Sequence, residues 1–270
     1  MLWQARPGII QSRNALDAAP VVVGGGFAKG VNFNGATTLA TSSTATAMTG
    51  AVDSKKWIIS FWFRATANSG WFSLFGGTLS RGFAIGRTAD GAGYYLIGAD
   101  SAAENAATVI ANAAPPAAGV WHHVIATADP SGTPVRQCFI NGVDQEGTLG
   151  FAQNANNVNF AVADTWRVGS SPGYNFTNGD IAELYMAANQ SMVLNTTNVQ
   201  KFRSAAGRPV DLGTNGATPT GTAPTLYFSV RSGGVANDFK TNRGTGGLTW
   251  SDSTGAGAGA GVLTLASVDP

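Results

Sequence analysis

The sequence is short of cysteine, of glutamate and of charge in general. Its one cysteine, Cys138, has no partner for an internal disulfide, which excludes a disulfide scaffold and a zinc site built on thiolates. Only three glutamates (Glu104, Glu146 and Glu183) stand in 270 residues, and charged side chains make up 11%, against about 25% in an average soluble protein. Sixteen basic and fifteen acidic side chains leave a net charge of +1. With no basic stripe to release counterions, nucleic acid is excluded as a partner. The two histidines, His122 and His123, are adjacent; on a strand they face opposite ways and cannot chelate one metal. No apolar run approaches the roughly 20 residues of a membrane helix, Trp57-Ile-Ile-Ser-Phe-Trp-Phe63 being about the longest. No membrane is therefore expected as a partner. The opening Met1-Leu-Trp-Gln-Ala-Arg-Pro-Gly8 lacks a basic segment followed by a long apolar one, so no secretory signal is expected. A soluble protein made in a reducing compartment is the expectation.

What is present points to β structure. Thirty-six glycines and eleven prolines accompany many Thr, Asn and Ser, so turn formers outweigh helix formers. Hydrophobic residues at 44% supply a core. Residues 56–65 are the clearest strand: Trp57, Ile59, Phe61 and Phe63 fall on one face, Ile58, Ser60, Trp62 and Arg64 on the other. Short strands are expected at 31–35, 71–75, 82–87, 93–98, 107–111, 121–126, 135–140, 165–168, 181–187, 225–230 and 262–265, each bounded by turn residues. Asn141-Gly142 is the strongest hairpin signal. One helix is expected at about 195–206, anchored by Val193, Val199 and Phe202 and stopped by Gly207. The spacing predicts an all-β sandwich or barrel with one short C-terminal helix. It would comprise an N-terminal arm (1–30), a core (31–232) and a Gly/Ala-rich C-terminal extension (233–270).

Four stretches carry a resemblance. Trp57-Ile-Ile-Ser-Phe-Trp-Phe-Arg64, Gly119-Val-Trp-His-His-Val-Ile-Ala126, Cys138-Phe-Ile-Asn-Gly142 and Gly179-Asp-Ile-Ala-Glu-Leu184 resemble the laminin-G-like, concanavalin A-like jelly-roll domains, with Phe33-Asn-Gly35 opening the first strand. The resemblance covers about residues 31–187. It implies the fold, an all-β, antiparallel jelly-roll sandwich with one short C-terminal helix, more than a function, because lectins, glycanases and scaffolding modules share it. A narrower likeness involves Asp180-Ile-Ala-Glu-Leu-Tyr185, Lys201-Phe-Arg203, Gly207-Arg-Pro-Val-Asp-Leu-Gly213 and residues 218–227. These look like the C-terminal part of laminin-G-like proteins in tailed-bacteriophage virions. Phage structural proteins leave the cell by lysis, which fits the expectation of no secretory signal.

The glycanases of that family set two or three carboxylates on one strand as Glu-x-Asp-x-x-Glu, and no such cluster occurs here. Asp180 and Glu183, three apart, should point to opposite faces of a strand, Asp180 ending a loop and Glu183 facing solvent or an arginine. No enzyme is expected. No Gly-x-Ser-x-Gly elbow accompanies the histidines, which read as strand residues, one packed inward and one outward. Relatives often bind calcium through loop oxygens, so calcium is the one cofactor left open, with Asp100, Asp129 and Asp180 as weak candidate ligands. A glycan platform would use Tyr174 and Phe176 with Asn175 and Asn178, in a loop-like stretch beside Trp166. Trp57, Trp62, Trp71 and Trp121 are expected to fill the sandwich. Leu2, Trp3, Ile9, Ile10 and Val21-Val-Val23 make the arm apolar without periodicity. Trp3, Ile9 and Ile10 are expected either to dock on other virion proteins or copies of the chain, or to fold back over its own sandwich. The leading expectation is a non-enzymatic virion protein displayed on the particle exterior as a capsid decoration, head-fibre or tail-fibre component. The alternative is a lectin module binding host-surface glycan.

Overall fold

The structure, a computed structural model, describes residues 28–35, 37–41, 47–66, 72–77, 82–87, 94–99, 105–111, 117–129, 135–145, 149–152, 157–170, 177–254 and 263–270. Trp57–Ala65 shows why the chain folds as it does. Trp57, Ile59, Phe61 and Phe63 are wholly buried in one cluster, as their alternation requires, while Ile58 turns to a second cluster on the other side. The strand lies at the centre of a sheet whose order is Val143–Asp144, Val135–Ile140, His122–Asp129, Trp57–Ala65, Asn178–Ala188, Val31–Asn34 and Thr264–Leu265. Leu226–Phe228 pairs with Asn178–Ala188 beside this path. The second sheet runs Leu149–Ala152, Asn105–Ala111, Tyr94–Ala99, Gly82–Arg87, Phe72–Gly76, Arg167–Val168, Thr37–Thr41 and Trp250–Thr254. All recorded pairings are antiparallel. Side chains of both sheets meet in the main core, where Phe75 stacks on Trp166 at 5.5 Å and Phe228 meets Trp250 edge-on at 4.9 Å. The expected jelly-roll sandwich is the fold.

The first sheet is buried on its outer face as well. Residues 190–212 lie across it, and Leu194, Val199, Phe202 and Leu212 pack on Ile58, Ile125, Phe139, Tyr185 and Tyr227. The helix in this cover spans only Thr196–Val199, shorter than the expected 195–206. Asn195 caps it by accepting from the Asn198 N–H. Two threonines and an asparagine are weak helix formers, so burial of Val199 and Phe202 holds single turns rather than a longer helix. Val193, expected as an anchor, is exposed.

Described parts of the 233–270 stretch enter both sheets. Trp250–Thr254 pairs with Thr37–Thr41, Thr264–Leu265 pairs with Val31–Asn34, and the 3-10 helix Ala236–Lys240 buries Phe239 against Phe33 and Phe228. The last residues also fasten onto the first sheet's outer face. Ala266 N–H donates to the Gly30 carbonyl, Trp121 Nε1–H to the Val268 carbonyl and Arg208 to the Pro270 carbonyl. Trp121, expected in the core, is therefore only part-buried, with the Arg64 guanidinium 5.6 Å from its ring centre.

Candidate functional site

The longest strand, Asn178–Ala188, carries the chemistry. It pairs with Trp57–Ala65 along its whole length, but the register slips between Ala182, opposite Trp62, and Tyr185, opposite Ser60. Two residues, Glu183 and Leu184, thus oppose Phe61, which is a β-bulge. Glu183 takes the extra position with φ of 48°, a left-handed conformation costing a non-glycine residue about 1–3 kcal/mol. The other edge of the strand changes partner at the same place. Val31–Asn34 pairs with it up to Ile181, and Leu226–Phe228 takes over from Leu184.

The bulge resets the alternation. Ile181 and Leu184 both enter the inner core, although they are three apart, and Tyr185 enters the outer cluster. Asp180, opposite Arg64, and Glu183, bonded to Tyr227 of the outer cluster, therefore leave the strand on the same face. That corrects the expectation of opposite faces. Asp180 lies within the strand, fully buried, rather than ending a loop, whereas Glu183, 5% exposed, takes the second of its two expected settings, beside an arginine (Arg231) and not in solvent.

Glu183 forms the floor of a cleft of about 240 Å³. Tyr227 O–H donates to its Oε2 at 2.7 Å, and Ser229 O–H donates to its Oε1. Across from it Arg231 pairs with Asp211, Nη2 standing 2.7 Å from Oδ1. Arg231 Nε–H, itself buried, donates to no protein acceptor among the described residues. Half-buried Val210 and exposed Ser232 complete the lining. Burial pushes the Glu183 carboxyl up to about 7, against the two hydroxyl donors and the Arg231 charge, and Asp211 pushes the same way as burial. The same burial, with the carboxylate beside it, raises Tyr227. Near neutral pH the floor thus exchanges a proton, while the rim keeps one fixed ion pair.

The other expected site residues lie elsewhere. Arg64 Nε and Nη2 each approach Asp180 Oδ2 at 2.5 Å, and Asn32 donates to Oδ1 at 2.8 Å. Asp129 binds Lys56 at 3.2 Å and the Ser191 hydroxyl at 2.7 Å. Of the three expected calcium ligands, the two that are described, Asp129 and Asp180, are thus engaged by protein donors, and no group of three metal-ligating side chains is found among the described residues. Asn178 is exposed at the start of the long strand, and Trp166 is fully buried, not at a platform. Tyr174, Asn175, Phe176, Asp100, Trp3, Ile9 and Ile10 lie outside the described residues, as do the Gly24–Gly26 stretch and the glycines of 255–261.

His123 is wholly buried, with Nε2 2.9 Å from Ser60 Oγ and its ring tilted against Trp62. Burial first, and then the Arg203 charge, lowers it to about 3. It stays neutral, and Ser60, 2% exposed, is closed to substrate, so the pair braces the sheet. His122, half-buried, meets Asn141 Nδ2 at 2.8 Å.

Asp211, Tyr227, Ser229 and Arg231 were not among the expected site residues. One signal for them exists: Tyr227, Ser229 and Arg231 alternate as polar-headed residues between apolar Leu226, Phe228 and Val230, as on a strand with one face away from the core. A lone Glu183 inside the apolar run 181–188 is a second.

The family model Laminin_G_3, described as the concanavalin A-like lectin/glucanases superfamily, matches residues 34–189. Among solved structures, a candidate carbohydrate-binding protein from Bacteroides ovatus has a TM-score of 0.55 at 13% identity, over 91% of this chain. The chain spans 61% of that protein's length. The heptameric SAP-like pentraxin from Limulus polyphemus has a TM-score of 0.50 at 11% identity, over 89% of this chain and 96% of its own. Identities this low speak for the fold alone. Among curated proteins no match was found. The match over 34–189 takes in more than half of the residues, from the first strand of the outer-covered sheet to the end of the bulged one, and the chain belongs to the concanavalin A-like lectin/glucanase superfamily.

Proposed function

We propose that the chain is a non-catalytic, carbohydrate-binding jelly roll displayed on the exterior of a tailed-bacteriophage virion. The observation that carries the binding reading is the polar cleft floored by Glu183 on a sheet of lectin type. Its mixture of carboxylates, hydroxyls and a guanidinium around half-buried Val210 is the lining a sugar requires: directional polar groups beside a small apolar surface. The similarity in fold to a candidate carbohydrate-binding protein agrees with it.

Binding is favoured over hydrolysis by the state of the carboxylates. A glycosidase needs one carboxyl free to give its proton to the leaving oxygen and a second as base or nucleophile. Both Glu183 oxygens accept from hydroxyls of the strand region beside it, and Asp211 is held by Arg231. Asp180 is buried against Arg64. The virion setting rests on the narrower resemblance. Its stretches form one unit: Asp180–Tyr185 lies in the bulged strand, Lys201–Arg203 and Gly207–Gly213 belong to the segment over that strand's outer face, and Leu226 and Tyr227 pair beside it.

Glycan-array binding of the purified full chain, with chromogenic glycoside assays in parallel, tests the reading. Saturable binding to a sugar class without turnover is expected. Absence of binding to any glycan overturns the carbohydrate reading, and turnover abolished by Glu183→Gln overturns the non-catalytic one. The virion setting is tested separately, by detecting the chain in purified particles.

A further inference from the structure

We infer that the Glu183 cleft takes a single neutral sugar ring through two neighbouring hydroxyls, and discriminates against sugars that carry a carboxylate. The inference rests on the carbohydrate-binding reading and gives it a place and a ligand class. At about 240 Å³ the cleft is smaller than the roughly 300–1,000 Å³ of sites for drug-sized ligands, so it admits one ring rather than a chain of them.

The polar groups select among rings. Glu183 and Asp211 present acceptors, and each Glu183 oxygen spends one lone pair on Tyr227 or Ser229 and keeps another. Arg231 presents donors, one of which, Nε–H, has no acceptor among the described residues. A hydroxyl donates and accepts at once, so a vicinal pair complements acceptors and donor together. An ammonium group would answer the carboxylates but meet like charge at Arg231. A carboxylate on the sugar would meet two acids, with the one cation already engaged by Asp211. The bulge is the construction that makes this possible. Without the extra residue Glu183 would point with Ile181 into the apolar core.

The test uses the full chain with neutral methyl hexosides and N-acetylhexosamines, compared with uronic- and sialic-acid glycosides, on an array and then by calorimetry. Glu183→Gln keeps the shape and removes the charge. Ser232→Trp blocks the mouth from an exposed position, so it guards against a floor variant that misfolds. Binding of a neutral glycan, weakened at least tenfold by both variants at unchanged secondary structure, supports the inference. Binding that both variants leave intact overturns the cleft assignment while the carbohydrate reading stands. Preference for acidic glycans, lost in Ser232→Trp, overturns the ligand class. No binding to any glycan overturns the underlying reading and this inference with it.

Discussion

Replacing Glu183 by glutamine removes a titrating group from the cleft floor and keeps its outline, so it isolates the energetic cost of the buried charge. Burial raises the carboxyl from about 4.5 to about 7. At 1.36 kcal/mol per pH unit this amounts to about 3 kcal/mol. The sign follows from proton binding. Between pH 4.5 and 7 the folded chain holds the Glu183 proton and the unfolded chain has lost it. The stability this proton contributes is complete below about 4.5, declines as pH rises and is gone above about 7. Glutamine resembles the protonated acid and escapes that decline. Its amide must find an acceptor where Tyr227 and Ser229 now donate, which offsets about 1 kcal/mol. Glu183→Gln should therefore exceed the wild type by about 1–3 kcal/mol at pH 8 and approach or fall below it at pH 4.5. Urea denaturation of both proteins at pH 4.5, 6 and 8 reads the difference. The other titrating groups, including neutral His123, cancel because both proteins share them. A variant less stable than the wild type at pH 8, or a difference that does not change with pH, refutes the reasoning. Paired with lost sugar binding, the gain would mean that the chain retains a destabilising group for its site.

Three further outcomes can be checked by denaturation or labelling. Arg64→Met leaves the Asp180 carboxylate buried with Asn32 as its remaining side-chain donor and should cost about 3–5 kcal/mol at neutral pH. Adding Asp180→Asn should recover much of that loss, and a double variant no better than the single one would contradict it. Gly169→Ala should destabilise by about 2–4 kcal/mol, measured by urea unfolding, because φ is +85° and the added carbon would enter the Phe33 ring; a neutral substitution would show that Phe33 yields. The Cys138 thiol is buried and pushed up to about 12 by desolvation, with the Asp144 charge adding to it, so iodoacetamide at pH 8 should label it only in denaturant. Rapid labelling of the folded chain would mean that the Val135–Ile140 strand opens.

What the sequence determined by itself is what neighbouring residues decide together. Alternation in Trp57–Ala65 settled which side chains face the core, because successive residues of a strand point oppositely whatever pairs with it. Asn141 and Gly142, at φ 53° and 81°, make the hairpin turn their dipeptide announces, since both tolerate the left-handed region. Thr37–Thr41, Leu149–Ala152 and Trp250–Thr254 went unread. Leu39, Leu149, Phe151 and Trp250 are their only large apolar residues, too few in runs of four or five to mark a strand, and they become strands through partners far along the chain. The candidate site escaped for a related reason. Glu183 was visible as a lone acid in an apolar strand, yet parity separated it from Asp180, and its charge alone suggested solvent or an arginine as its surroundings. Only the tertiary structure decided otherwise: the strand exchanges Val31–Asn34 for Leu226–Phe228 at Ile181–Leu184, and the bulge at that exchange turns the side chain to the outer face. There it meets Tyr227 and Ser229, 44 and 46 residues away. A strand's period is a local property that any short window reveals, whereas a bulge is a mismatch between two strands and exists only once both are in place.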